Sequence, residues 1–86
     1  MKNSGVWFVY ILRCKNKSLY TGITTDLKRR FEEHRNKGAR YTSYNPPVRF
    51  VHTEQFATRS EALKRESQIK SWDRSKKLAL IRGALR

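Results

Sequence analysis

The sequence predicts a small α+β fold: a three-stranded, mostly antiparallel sheet flanked by three helices in the order β-β-α-β-α-α, forming one domain over residues 1–86. Three observations predict it. Val6 to Arg13 (VWFVYILR) is dense in β-branched and aromatic residues, as a buried strand is. Helix-start chemistry recurs at Thr24-Thr25-Asp26, at Thr58 with Glu61, and at Asp73 with Ser75. A chain of 86 residues leaves room for only a thin core, so most apolar side chains must be spent on folding.

The elements follow in order. Lys15-Asn16-Lys17 reads as a turn, and Ser18 to Ile23 as a second strand that closes a hairpin. Leu27 to Asn36 reads as a helix with Leu27 and Phe31 on one face, ended by Gly38. A polar loop runs from Ala39 to Pro47, where Pro46-Pro47 excludes helix. Val48 to Gln55 is a third strand. A second helix runs from the Thr58 cap to about Ser71, and a third carries Leu78, Ile81 and Leu85.

Charge narrows the function. Twenty Lys and Arg face seven Asp and Glu, a formal net charge of +13. An excess this large in so short a chain points to a polyanionic partner, nucleic acid or an anionic membrane surface. A merely solvated face usually mixes both signs. No apolar run approaches membrane-spanning length, and Met1 to Gly5 lead into a strand rather than a signal peptide. The expected setting is the cytoplasm, with no membrane partner. Cys14 is the only cysteine, which fits a reducing compartment, and it reads as a spare thiol.

Glu66 is the most informative single residue. Ala62, Leu63 and Ile69 define the apolar stripe of the second helix, and Glu66 falls inside it. A carboxylate there loses hydration and needs a compensating cation. A metal ion would serve, and so would a salt bridge to Lys70, four residues on. The remaining acids have plainer uses: Asp26, Glu61 and Asp73 at helix starts, Glu32 and Glu33 on an outer helix face, Glu54 near a strand end. One well-placed carboxylate suits a single hard cation, such as Mg²⁺, that keeps several waters and draws further ligands from phosphate.

Arg30 and His34 are four apart on the first helix, beside the Leu27–Phe31 stripe. Arg clamps phosphate and stabilises its charge, and His binds phosphate or shuttles a proton near neutral pH. The competing reading is an ordinary basic face shared with Lys28, Arg29 and Arg35. Tyr10 and Tyr20 form the third constellation. With a three-residue hairpin loop, Tyr10 faces Gly22 and Tyr20 faces Leu12, so the tyrosines are diagonal neighbours on one face. A two-residue loop would put them on opposite faces. Arg40, Tyr41 and Tyr44 interleave basic and aromatic character in the polar loop. His52 reads as a packing histidine. Zinc spacing, a Gly-rich phosphate cradle and a Ser-His-Asp arrangement are all missing from the sequence.

Val9-Tyr10-Ile11, Tyr20-Thr21-Gly22, Leu27-Lys28-Arg29-Arg30 with His34, and Glu66 on a later helix together resemble the GIY-YIG nuclease pattern. The resemblance spans about Trp7 to Ile81. Ser60-Glu61-Ala62-Leu63 through Glu66, with Ile69-Lys70 and Lys77-Leu78, is similar to its small stand-alone bacterial branch. It implies endonuclease activity that hydrolyses DNA phosphodiesters, structure-specific in repair or processing, with one Mg²⁺ or Mn²⁺ ion held by Glu66. It implies that Arg30 stabilises the scissile phosphate, that Tyr10 and Tyr20 position or activate water, and that His34 matches a histidine of some branches. Lys28, Arg40, Tyr41 and Lys70 are the expected nucleic-acid contacts. A monomer is expected, and RNA stays open as a partner. Phe8 stands where the family's first motif has glycine, and Ile23 where the repair branch has lysine. The alternatives are a nucleic-acid-binding member with little catalysis, or a subunit recruited to a larger complex.

Overall fold

The computed structural model describes residues 5–36 and 46–85. Its elements are β1 (Trp7–Cys14), β2 (Leu19–Thr24), α1 (Leu27–Asn36), β3 (Pro47–Phe56), α2 (Arg59–Lys70) and α3 (Arg74–Ile81). This is the predicted α+β order. The strands form one sheet in the order β2-β1-β3, with both pairings antiparallel.

The hairpin loop is Lys15-Asn16-Lys17. The Cys14 amide donates to the Ser18 carbonyl at 3.0 Å, and the Lys17 amide donates to the Cys14 carbonyl at 2.8 Å. Lys17 takes the left-handed conformation, φ 73°, which closes three-residue hairpins. The register is the one such a loop requires: Tyr10 opposite Gly22 and Leu12 opposite Tyr20.

On the other side of β1, His52 pairs with Ile11 while Phe50 pairs with Leu12, so Val51 is an extra residue and the strand bulges. Strict alternation would put Phe50 on the same face as His52, Glu54 and Phe56. The bulge shifts it to the face of Tyr10, where the two rings meet edge to face at 5.2 Å.

The two faces of β1 have separate duties. Val9 and Ile11 pack with Ala62 and Ile69 of α2 and Leu80 of α3, all at most 3% exposed. Tyr10, Leu12 and Cys14 point to the other face and are fully buried. Buried Cys14 has its thiol pKa raised by loss of solvent, which makes it a poor nucleophile.

Helix ends are set by side chains and turn geometry. At α1, Asp26 Oδ1 accepts the Arg29 amide at 3.0 Å. Thr58 caps α2 by accepting the Glu61 amide at 3.2 Å, and Asp73 caps α3 by accepting the Lys76 amide at 2.9 Å. After α3, Gly83 (φ +82°) donates to Leu80 O and Ala84 donates to Ala79 O, the paired bonds of a Schellman stop. Leu85 was expected on the third helix and instead lies beyond it, because the Gly83 reversal ends α3 first.

Two expectations for β3 are corrected. Glu54 is not an idle strand-end acid, and His52 is not a lone packing histidine. Arg65 of α2 grips Glu54 with both Nε (2.8 Å) and Nη2 (3.0 Å), and His52 Nε2 lies 2.7 Å from Glu54 Oε2. Burial alone would raise the Glu54 pKa. Hydrogen bonds from Arg65 and His52, with their charges, outweigh it and hold the carboxyl below its usual value. The group ties β3 to α2 and lines a groove with Leu80 and Ile81 on the face away from Tyr10.

Candidate active site

The site is assembled on the Tyr10 face by β1, β2 and α1. The β2–α1 junction is locked by Thr24, which is buried: its Oγ1 accepts the Asp26 amide at 3.1 Å and donates to the Asp26 carbonyl at 3.2 Å. With the helix start fixed, Arg30 and His34 lie one turn apart on the same side of α1. Both reach one atom. Arg30 Nε donates to the Tyr10 hydroxyl oxygen at 3.1 Å, and His34 Nε2 lies 3.1 Å from that oxygen.

Tyr20 completes an aromatic cluster. Its ring centroid lies 6.4 Å from that of Tyr10 and 5.0 Å from that of His34, edge-on to the imidazole. Phe31 and Phe50 close the inner side, 5.7 Å apart. Tyr10 and His34 are at most 1% exposed, whereas Tyr20 is half-buried.

Burial pushes the Tyr10 phenol pKa up, and the Arg30 hydrogen bond and charge only partly offset it. Burial also pushes the His34 pKa down, with the Arg30 charge adding to the effect. Both groups are therefore neutral near pH 7. With the His34 ring proton on Nδ1, the Tyr10 hydroxyl accepts from Arg30 and donates to His34 Nε2. Burial works against the Arg30 charge, but hydrogen bonds with Tyr10 and Glu33 outweigh it and raise its pKa. Arg30 Nη1 donates to Glu33 Oε1 at 3.0 Å, which leaves guanidinium hydrogens for an incoming group.

Glu66 belongs to α2, yet its charge is felt at Tyr10 and contributes to the raised phenol pKa. Its side chain is 17% exposed and pairs with Lys70 Nζ at 3.2 Å. The carboxylate is sheltered, and the salt bridge to Lys70 that its position allowed is formed. The Lys70 side chain is itself 53% exposed. Among the described residues, no three His, Cys, Asp or Glu side chains cluster closely enough to form a protein-built metal cage. A single carboxylate suits a hard divalent ion that keeps its waters and suits neither zinc nor a two-metal pair.

Gly22 plays a part that its motif alone did not reveal. A Cβ built on Gly22 would come 2.5 Å from Tyr10 Oη and 2.8 Å from its Cζ. The absence of a side chain makes room for the phenol. The signal was present in the predicted register, which sets a glycine opposite a tyrosine. Phe50 was also missed, because only the Val51 bulge brings it to this face. Lys28 is exposed on α1 and Lys70 is exposed at the end of α2. Arg40, Tyr41 and Tyr44 lie outside the described residues. No helix among the described residues is long and apolar enough to cross a membrane.

Tyr10 and Tyr20 of the hairpin, Arg30 and His34 of α1 and Glu66 of α2 are the positions that carry the resemblance to the GIY-YIG pattern. The chain belongs to the GIY-YIG catalytic domain family, whose model matches residues 6–79. It is 51% identical over 75 residues to a UPF0213 protein of Staphylococcus saprophyticus, covering 86% of this chain and 92% of that one. A UPF0213 protein of Staphylococcus aureus is 51% identical over 76 residues, covering 87% and 93%. Two solution NMR structures share the fold. The UPF0213 protein from Bacillus halodurans aligns with TM-score 0.58 at 44% identity, over 88% of this chain and 82% of that one. A protein from E. faecalis aligns with TM-score 0.66 at 36% identity, over 96% and 90%.

Proposed function

We propose that this protein is a DNA-directed endonuclease that hydrolyses phosphodiester bonds with one divalent ion, Mg²⁺ or Mn²⁺. The observation that carries the reading is the convergence of Arg30 and His34 on the Tyr10 hydroxyl, with the Glu66 carboxylate close enough to act on that phenol. Glu66 would hold the ion after Lys70 swings aside. When bound, the ion would supply charge stabilisation at the phosphate and an acidified water.

The chain's own residues divide the remaining work. Arg30 binds the scissile phosphate through hydrogens not committed to Tyr10 or Glu33 and stabilises charge gained in the transition state. Tyr20, the more exposed tyrosine, orients the attacking water. Tyr10 is a positioning residue first: its oxygen holds the Arg30 guanidinium and its proton is aimed at His34. A standing Tyr10 phenolate is disfavoured because burial raises the phenol pKa. A relay avoids it. As a proton from the water reaches Tyr10 Oη, the phenol proton moves to His34 Nε2, leaving neutral tyrosine and an imidazolium. His34 can accept because burial keeps it unprotonated at neutral pH.

A second reading is favoured by the sealed state of Tyr10 and by the partners already on Arg30 and Glu66. In it the protein binds nucleic acid and turns over only when a larger complex opens the site. The deciding experiment is a cleavage panel of single-stranded, duplex, flap and branched DNA, with and without Mg²⁺ or Mn²⁺. Metal-dependent cleavage supports the nuclease reading. Binding of every substrate with no cleavage under any metal supports the second.

A further inference from the structure

The sequence does not show where the positive charge is neutralised. All seven carboxylates of the chain can be placed. Asp26 and Asp73 cap helices, and Glu61 stands in the first turn of α2. Glu32 and Glu33 pair with Arg29, Arg30 and Arg35 of their own helix. Glu54 is gripped by Arg65, and Glu66 by Lys70. The helix that carries Arg30 is thus largely self-neutralised.

The hairpin tip is different. Lys15 and Lys17 are exposed there, and Arg74 joins them from the start of α3 by donating Nη2 to the Lys17 carbonyl at 2.9 Å. Among the described residues, no carboxylate pairs with any of the three. Asp73, the nearest in sequence, has its Oδ1 on the Lys76 amide. The tip is also held in place: the Lys15 amide donates to the Pro46 carbonyl at 2.9 Å, and the Ser18 amide donates to Asn16 Oδ1 at 2.9 Å. The turn thus presents three cations from two elements with no carboxylate paired to them among the described residues.

The patch is continuous with the site. Lys17 closes the loop two residues before β2 begins at Leu19, and Tyr20 is the second residue of that strand. From the other side, Glu66 leads to Lys70 and then, across the α2–α3 turn, to Arg74.

We infer that the hairpin tip, through Lys15, Lys17 and Arg74, is a second phosphate-binding station that holds the DNA backbone to one side of the scissile bond. This rests on the nuclease reading above and adds to it a fixed direction for the bound DNA. The DNA arm leaves the site over the β1–β2 turn, so substrates lacking that arm bind weakly. Contact there is to phosphates and is blind to base sequence, because the three side chains offer charge and no stacking ring.

The test compares Lys15→Glu/Lys17→Asn with Lys64→Glu/Arg82→Gln, a control pair of exposed residues that lowers net charge equally. Asn suits position 17 because it tolerates φ > 0. Fluorescence anisotropy follows binding to duplexes of about 8 and about 20 base pairs across a range of salt, with folding of each variant checked by circular dichroism. For the wild type, the longer duplex should bind at least about tenfold tighter. The tip variant should lose that gain, and its slope of log affinity against log salt should flatten by about 2 relative to wild type, from ~0.9 per lost phosphate contact. The control should keep both. Arg74→Gln alone should flatten the slope by about half that amount. If the wild type binds DNA and the tip variant matches the control in slope and length dependence, the station is wrong while the nuclease reading stands. If the wild type binds no nucleic acid, both fall.

Discussion

Gly22→Ala tests the geometry of the site with a single methyl group. The new Cβ would lie 2.5 Å from Tyr10 Oη, whereas ordinary contact begins near 3.4 Å, so the phenol oxygen must retreat by about 0.9 Å. Tyr10 is fully buried and Phe50 packs against its ring, so it has no slack. A retreat of that size stretches one or both of the 3.1 Å bonds to Arg30 and His34 out of hydrogen-bonding range. Overpacking and a strained buried hydrogen bond should cost about 2–3 kcal/mol. The smaller unfolded-state entropy of alanine returns about 0.4–1 kcal/mol. Gly22 does not have the positive φ that would add backbone strain. The net loss is about 1–2.6 kcal/mol, a fall in Tm on the order of 10 °C for a chain this short. Misplacing a group in the site by about 1 Å should lower cleavage on the order of a hundredfold.

The assay is thermal unfolding followed by circular dichroism, with cleavage measured on the best substrate of the panel. A double-mutant cycle with Tyr10→Phe isolates the clash, since removing Oη removes the 2.5 Å contact and leaves Cζ at 2.8 Å. Gly22→Ala should therefore destabilise Tyr10→Phe less than it destabilises the wild type. Additive effects, or a Gly22→Ala protein with wild-type Tm, would refute the reasoning.

Four further outcomes follow. Glu66→Gln should abolish divalent-metal binding and cleavage yet change metal-free stability by no more than about 0.5 kcal/mol, because an i,i+4 pair with an exposed lysine is worth little; metal-dependent cleavage at the wild-type rate would sink the metal-ligand role. Arg30→Ala should reduce kcat on the order of a hundredfold while DNA affinity falls severalfold, and Arg35→Ala should affect kcat little; equal losses would remove any special role for Arg30. His34 has its pKa lowered below 6.5, so the unfolded chain takes up a proton that the folded chain refuses; stability present above about pH 6.5 should be lost as pH falls through the folded value, and His34→Gln should flatten that slope in melts between neutral pH and pH 5. Arg65→Ala should destabilise by about 2–3 kcal/mol in urea unfolding because it leaves the sheltered Glu54 carboxylate without its bidentate partner, with the penalty shrinking below about pH 4.5 as that carboxyl protonates.

The element order was legible because local signals agreed with one another. The tyrosine pair was legible through one inference, the three-residue loop, which places Tyr10 opposite Gly22 and Tyr20 opposite Leu12. Arg30 and His34 were legible as neighbours through helical spacing. That both would end on the same phenol oxygen was not, since it depends on how α1 crosses the sheet. What escaped was tertiary. The Val51 bulge shifts Phe50 to the Tyr10 face, and neither periodicity nor propensity marks such a slip. His52 and Glu54 looked idle because their partner, Arg65, is eleven residues past Glu54 on another element. Leu85 matched the helical period, but Gly83 turned the chain before the period could matter.

A thin sheet ties these points together. On one side of β1, Val9 and Ile11 meet α2 and α3. The opposite side of the same strand is filled by Tyr10, Leu12, Cys14 and His34, so the candidate site is also half of the interior. Polar groups there cannot be left to water and must satisfy one another, which is why Arg30 and His34 both meet the Tyr10 hydroxyl. Removing a member therefore unbalances folding and chemistry together. On the far face the demand is different: Arg65, Glu54 and His52 stabilise the join between β3 and α2 without reaching Tyr10. Substitutions should separate along this division. Changes on the Tyr10 face should move stability and cleavage together, and changes in the Glu54 group should move stability while cleavage by the folded fraction holds. Loss of cleavage in folded Arg65→Ala protein would show that the two faces are coupled through the sheet.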